Sequence, residues 1–157
     1  MGVRLTDDEV WEFVAAAHTG ILTTLRRDGT PVSLPMWFVA LDRAVYLRTL
    51  AGSKKAARIQ RDPRVGFLAE SGLRWAELKA VHLSGVAERV TDPGEEARVA
   101  QALEAKYAAY RTARADQAEA TRRHYSQEWA IFRIVPQARI ISWDNRKLRL
   151  RSPVSTG

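Results

Sequence analysis

The feature that most constrains this chain is a change of period at Ile21. From there apolar residues recur every second position, and the dipeptide Asp28-Gly29 separates "ILTTLRR" from "PVSLPMWFVAL". An Asp-Gly pair between alternating runs is the strongest short-range hairpin signal. A second turn at Asp42-Arg43 leads into "AVYLRT", which predicts three strands in a meander. Further on, "VGFLAE" reads as a strand and "SGLR" as a turn. "AELKAVHLSGVAERV" reads as a long strand with Gly85 as a bend or bulge. "WAIFRIV", a break at Pro136 and "RIISW" add two strands before a polar tail.

Helices interrupt this pattern at few places. "LTDDEV" offers Thr6 as N-cap, Glu9 as its capping-box partner, and Leu5 with Val10 as a hydrophobic staple. Val10, Phe13, Val14 and Ala17 then share a face, and Gly20 is predicted to end the helix. A short helix follows Ser53 and stops at Asp62-Pro63. After "TDPGEE" a longer one carries Val99, Ala102, Leu103, Lys106, Tyr107 and Tyr110 at helical spacing. The segment Arg111 to Tyr125 has no strong apolar stripe and reads as helix or loop.

Six or so strands with closely spaced turns and a few helices predict a mainly β fold, an antiparallel barrel with peripheral helices, not a parallel α/β sheet. Neither G-x-G-x-x-G nor a P-loop is present. A length of 157 residues, 46% of them hydrophobic, suits a single domain over residues 1–157 with a helical insertion at about 92–125. The absence of cysteine removes disulfides, thiolate metal ligands and thiol catalysis. His18 and His124 lack ligand-spaced partners, so no metal site is expected. No apolar run reaches membrane-spanning length, and "TDDEVWEF" lacks the layout of a signal peptide, so a cytoplasmic protein without membrane contact is expected.

Net charge is +7 and the pI is near 10.2, which favours anionic ligands. The distribution is informative: between Ser53 and Arg64 stand Lys54, Lys55, Arg58, Arg61 and Arg64 against Asp62 alone. The first turn of a helix carries unpaired N–H groups and the positive end of the macrodipole, so Lys54 and Lys55 are repelled there unless an anion joins them. With Thr49 and Ser53 as hydroxyl donors, the stretch is suited to a bound phosphate. Two further clusters, "DNRKLRLR" and "YRTARADQAEATRRHY", read as solvated faces. In "SLPMWFV", Pro35 marks an edge or locally opened strand. Met36 and Trp37 there offer backbone groups and a flat apolar surface to a planar ring, although taken alone they read as core and edge filling.

The order of "GILTTLRRDGTPVSLPMWFV", "YLRTLAGSKKAARIQRDPRVGF", "VHLSGVAERV" and "FRIVPQARIISWDNRKL" resembles the flavin/deazaflavin split-barrel superfamily, of pyridoxamine 5′-phosphate oxidase type. The resemblance covers roughly Val10 to Leu148. It implies a six-stranded antiparallel split barrel that forms a homodimer, with the cofactor between subunits. Thr49, Ser53, Lys54 and Lys55 fall on the positions that hold the cofactor phosphate, with Arg58 on the same helix. Met36 and Trp37 fall on the strand along the isoalloxazine edge, with Pro35 just before, and Trp143 matches a tryptophan near the ring. The substrate-phosphate clamp of the true pyridoxamine phosphate oxidases is replaced by "DNRKLRLRSPVSTG", and their glutamine by Ala80, which argues against vitamin B6 oxidation.

"DGTPVSLPMWF" and "SKKAARIQRDPRV" are similar to the subgroup that uses the deazaflavin coenzyme F-420, whose polyglutamate tail suits a basic protein. The resemblance thus implies an oxidoreductase passing hydride from reduced F-420 to a conjugated small-molecule acceptor such as an enone, quinone or tetrapyrrole. FMN is the alternative cofactor, and a non-catalytic flavin- or haem-binding carrier the alternative role. No catalytic side chain is singled out; His82, Tyr107 and Tyr110 are candidate proton donors, but His82 reads better as a half-buried strand residue and the tyrosines as a packed helical stripe. A nucleic-acid-binding reading rests on charge alone, since the aromatic residues do not interleave with the basic ones.

Overall fold

The computed structural model describes residues 2–148, so the tail and the end of the basic run "DNRKLRLR" lie outside the described residues. In chain order the elements are α1 (Asp7–Ala16), β1 (Gly20–Leu25), β2 (Pro31–Met36), β3 (Phe38–Leu41), β4 (Ala44–Leu50), α2 (Lys54–Arg61), β5 (Arg64–Ser71) and β6 (Lys79–Arg89). There follow α3 (Pro93–Tyr107), α4 (Glu119–His124), β7 (Trp129–Pro136) and β8 (Ile141–Asp144). All strand pairs are antiparallel. The sheet has eight strands in the path β2-β1-β5-β6-β7-β4-β3, with β8 beside β6.

The count exceeds the six strands implied by resemblance partly because "PVSLPMWFVAL" is two strands. β2 pairs with β1 and β3 with β4, and the break between them is Trp37. These strands are the two ends of the sheet path, yet one residue joins them. A sheet whose opposite edges are consecutive in the chain must curl back on itself, which makes an antiparallel split barrel. Pro31 and Pro35 sit on β2, an edge of the path, where a missing N–H costs little.

The turns follow local chemistry. Gly29 has φ +83°, and Thr30 N donates to Asp28 Oδ1 at 2.9 Å, closing the β1–β2 hairpin. Asp42 and Arg43, at φ 50° and 58°, form the predicted turn between β3 and β4. Gly85, predicted to be a bend or bulge, is neither: the β5–β6 register runs unbroken from Arg64↔Val86 to Ser71↔Lys79. It stands instead where β6 changes partner, from β8 opposite Lys79–His82 to β7 from Gly85 onward. A side chain there would overlap the carbonyl oxygen of Val135.

The barrel interior is filled by residues of one parity and the outer layer by the other. Phe38, Val45, Leu47, Phe67, Leu83, Phe132 and Ile134 pack inside with Val10 and Val14 of α1 and Ala56 and Ile59 of α2. Val39, Tyr46 and Ile131 point outward and are covered by Val99, Leu103 and Tyr107 of α3. Each buried Val, Leu, Ile or Phe among them contributes roughly 1.5–3 kcal/mol by burial. α3 is fixed at its start by Asp92, which accepts from Glu95 N at 2.8 Å, and by Glu95, which accepts from Tyr46 Oη and Arg133 Nη1, both at 2.8 Å.

The capping box of α1 is present, with Thr6 N donating to Glu9 Oε2 at 2.7 Å and Glu9 N to Thr6 Oγ1 at 3.3 Å. The helix nevertheless ends at Ala16, and Gly20 opens β1 rather than closing α1. Packing explains this glycine, because the Phe67 ring occupies the space a Cβ would need. The segment Arg111–Tyr125 contains a 3-10 turn at Arg114–Asp116 and the short α4. No helix among the described residues is long and apolar enough to cross a membrane.

Candidate functional site

β4 delivers the chain to α2 through a tight connection, and the hydroxyls of Thr49 and Ser53 meet at 3.2 Å. Ser53 caps the helix by accepting from Ala56 N at 3.1 Å. Asp62, at the other end, accepts two hydrogen bonds from the Arg64 guanidinium, at 2.9 and 2.7 Å. That contact holds the Asp62 carboxyl down at about 2. The one acid of this segment is therefore already committed.

Among the described residues, Lys54, Lys55, Arg58 and Arg61 have no carboxylate partner. Arg58 Nε donates to Thr24 Oγ1 at 2.8 Å and Arg61 Nη2 to the Leu25 carbonyl at 2.7 Å. Lys55 Nζ donates to the thioether of Met36 at 2.8 Å. Burial, and then the neighbouring Arg58, push the Lys55 ammonium below the usual lysine range. A half-buried ammonium resting on a weak acceptor, beside a second cation and a pair of hydroxyls, fits an anion with several strong acceptors.

Met36 and Trp37 part at the end of β2. Met36 is buried against Lys55. Trp37 turns to the other side, where its ring lies flat on Tyr107, 4.5 Å between centroids and 5° between planes. Thr49 and Arg48 part in the same way: Thr49 is buried beside Ser53, whereas the Arg48 guanidinium lies 4.4 Å from the centre of the Trp129 ring. Trp37, Arg48 and Trp129 are part of the wall of a cleft of about 1150 Å³ roofed by α3, α4 and the turn between them. The basic cluster at α2 and the cleft are thus bordered by neighbouring residues of the same two stretches of chain.

Eight of the nine predicted site residues lie on these two stretches or on α2: Pro35, Met36, Trp37, Thr49, Ser53, Lys54, Lys55 and Arg58. Trp143 is not brought to them within one chain. It stands opposite Ala80 near the start of β6. The end of β4 lies beyond the other end of β6, since Arg89, the last residue of β6, faces Phe132, and Phe132 faces Leu47, three residues short of Leu50.

Two of the candidate proton donors are otherwise employed or exposed. The Tyr107 hydroxyl accepts from Phe38 N at 2.9 Å and shares its single proton between the carbonyls of His18, at 2.8 Å, and Phe38, at 2.9 Å. Burial pushes its pKa upward, so it serves as a neutral structural clasp. Tyr110 is exposed and meets the His18 ring edge-on at 4.5 Å. His82 is a half-buried strand residue with its Nδ1 lacking a hydrogen-bond partner among the described residues.

The cleft residues Arg48, Arg111, Arg114, Arg122 and Trp129 had no motif to mark them. One signal was available for Arg48, the only charged residue in β4. The arginines of the insertion read as a solvated face, and only the tertiary placement of the segment after α3 brings Arg111, Arg114 and Arg122 to the cleft wall.

The family described as pyridoxamine 5′-phosphate oxidase matches residues 6–141. A conserved hypothetical protein from Mycobacterium tuberculosis is 34% identical, with 99% of this chain and 95% of that one aligned and a TM-score of 0.80. A FAD-binding protein from Mesorhizobium loti is similar in fold at 19% identity, 88% and 93% coverage and a TM-score of 0.66. A structure described as an F420 reductase is similar at 20% identity, 83% and 94% coverage and a TM-score of 0.60. No curated protein matches the chain. The match over most of the chain, on a curled antiparallel sheet, agrees with the resemblance read from the sequence: the chain belongs to the pyridoxamine 5′-phosphate oxidase family, of split-barrel fold.

Proposed function

We propose that the protein is an oxidoreductase that uses reduced coenzyme F-420 to reduce a conjugated organic acceptor, working as a homodimer with the coenzyme between subunits. The observation that carries this reading is the cradle at the start of α2, where Lys54, Lys55 and Arg58 have no carboxylate partner among the described residues and Thr49 and Ser53 offer hydroxyls. Support for the deazaflavin over FMN comes from the charge of +7, which suits a polyanionic tail. The fold shared with an F420 reductase is consistent with it.

When bound, the reduced coenzyme supplies the hydride, and the protein supplies position and a dry environment. Lys54, Lys55 and Arg58 neutralise the phosphate, and Thr49 and Ser53 fix its orientation through hydrogen bonds. Met36 and Trp37 would offer backbone groups to the ring of the coenzyme, with Pro35 keeping this strand end free of a ladder donor. The Tyr107 stack holds Trp37 in place between this strand end and the cleft. In the dimer, Trp143 approaches the cradle of the second copy, in keeping with its remoteness from the cradle of its own chain.

The test is equilibrium binding of oxidised F-420 and of FMN to one preparation, read by fluorescence quenching. F-420 binds more tightly, and Lys55→Ala weakens it roughly 10- to 100-fold, the worth of a hydrogen bond to a charged group. Tighter binding of FMN overturns the choice of coenzyme. Undiminished binding by Lys55→Ala overturns the phosphate assignment.

A further inference from the structure

The cleft beneath α3 and α4 has aromatic walls and an excess of one charge. Trp37 offers one flat face supported by Tyr107, whereas Trp129 is stacked with Tyr125 at 5.8 Å and 11° and carries the Arg48 guanidinium 4.4 Å from its ring centre. The charged side chains lining it are Arg48, Arg111, Arg114 and Arg122 against Glu104 alone. Glu104 accepts from Arg111 Nε at 3.1 Å, so that pair is satisfied. Arg48, Arg114 and Arg122 have no carboxylate partner among the described residues. Burial and the nearby Arg111 push the Arg48 guanidinium below its usual range, as expected where cations face one another with too few anions.

Flat aromatic faces bind conjugated rings by stacking, and a planar guanidinium matches a carboxylate through two parallel hydrogen bonds. A volume of about 1150 Å³ is ample for a fused polycyclic ligand. Trp37 borders the cleft directly after Met36, the residue that touches Lys55 of the cradle. From this arrangement we propose that the cleft is the acceptor site and selects planar conjugated carboxylic acids, stacking the ring on Trp37 and holding the carboxylate with Arg48, Arg114 and Arg122. The role as acceptor site rests on the reading of the protein as an oxidoreductase; the preference for acids does not.

The experiment is isothermal titration calorimetry of the full chain with pyrene-1-carboxylate and with pyrene-1-carboxamide, each in the absence and presence of saturating oxidised F-420. The acid binds at least about 10-fold more tightly than the amide, as a charge-assisted contact requires. In the double variant Arg114→Gln/Arg122→Gln the ratio falls to about 2-fold or less, while F-420 affinity stays that of the parent. Equal binding of acid and amide, or a ratio unchanged in the variant, overturns the proposal. So does competition between F-420 and the acid together with weakened F-420 binding in the variant, which assigns the arginines to the coenzyme's own carboxylates. Failure of the coenzyme reading is seen separately as absent F-420 binding with the acid preference intact.

Discussion

The ammonium of Lys55 donates to the thioether sulfur of Met36 across 2.8 Å, joining α2 to the end of β2. A thioether is a weak acceptor, and the lysine is half-buried beside Arg58. The contact leaves the cation short of strong acceptors.

Replacing that lysine separates its two roles. Lys55→Met keeps the apolar stem and removes a desolvated charge, so the unfolding midpoint in urea stays at the parent value or rises. A loss of stability above about 1 kcal/mol would instead make Lys55 a structural residue whose sulfur contact matters to the fold.

Tyr107 is a clasp between α3, β3 and the end of α1. Tyr107→Phe strands the buried Phe38 N–H and removes the donor to the carbonyls of His18 and Phe38. The expected cost is about 1–3 kcal/mol in urea unfolding, with the Trp37 stack retained. An unchanged midpoint would show that another donor or water replaces the hydroxyl.

Lys106 gives the fold a pH dependence in the alkaline range. Its ammonium donates to the carbonyls of Ala15, Ala17 and Phe38 at 3.4, 2.7 and 3.0 Å and lies 4.0 Å from the centre of the Phe38 ring. Burial outweighs these contacts and lowers its pKa from 10.5 to about 8. Between these values the unfolded chain holds a proton that the folded chain has released, so stability increases as pH rises through the window. Comparison of the parent with Lys106→Met in unfolding experiments at pH 7 to 10 isolates the effect: the parent gains relative to the variant over that interval. Parallel pH profiles would refute it.

Much of this architecture is local and can be read along the chain. The Thr6 capping box, the Asp28-Gly29 and Asp42-Arg43 turns, and α2 between Ser53 and Asp62 each depend on residues within a few positions of one another. The cradle belongs to the same class, because the Thr49 and Ser53 hydroxyls are four residues apart. Pro35 and the alternation around it correctly mark an edge strand.

Other features depend on closure of the barrel. "PVSLPMWFVAL" alternates as one strand, but a curled sheet brings its halves to opposite edges of the path and breaks it at Trp37. Gly20 resembles a helix stop, yet its small size is required by Phe67, which lies on another strand. The carbonyls that end α1 are satisfied by Lys106, a residue 89 positions from Ala17, so no signal near that helix end announces it. β4 is buried on both faces because α3 covers its outer side, and Arg48 becomes a cleft residue only under that cover. The turns, the caps and the cluster of basic charge at α2 are written locally, since each follows from backbone and side-chain chemistry within one turn or hairpin. Where the sheet closes, which face of it is covered and which arginines meet in the cleft emerge only on folding, because they depend on contacts between segments that chain-local preferences do not join.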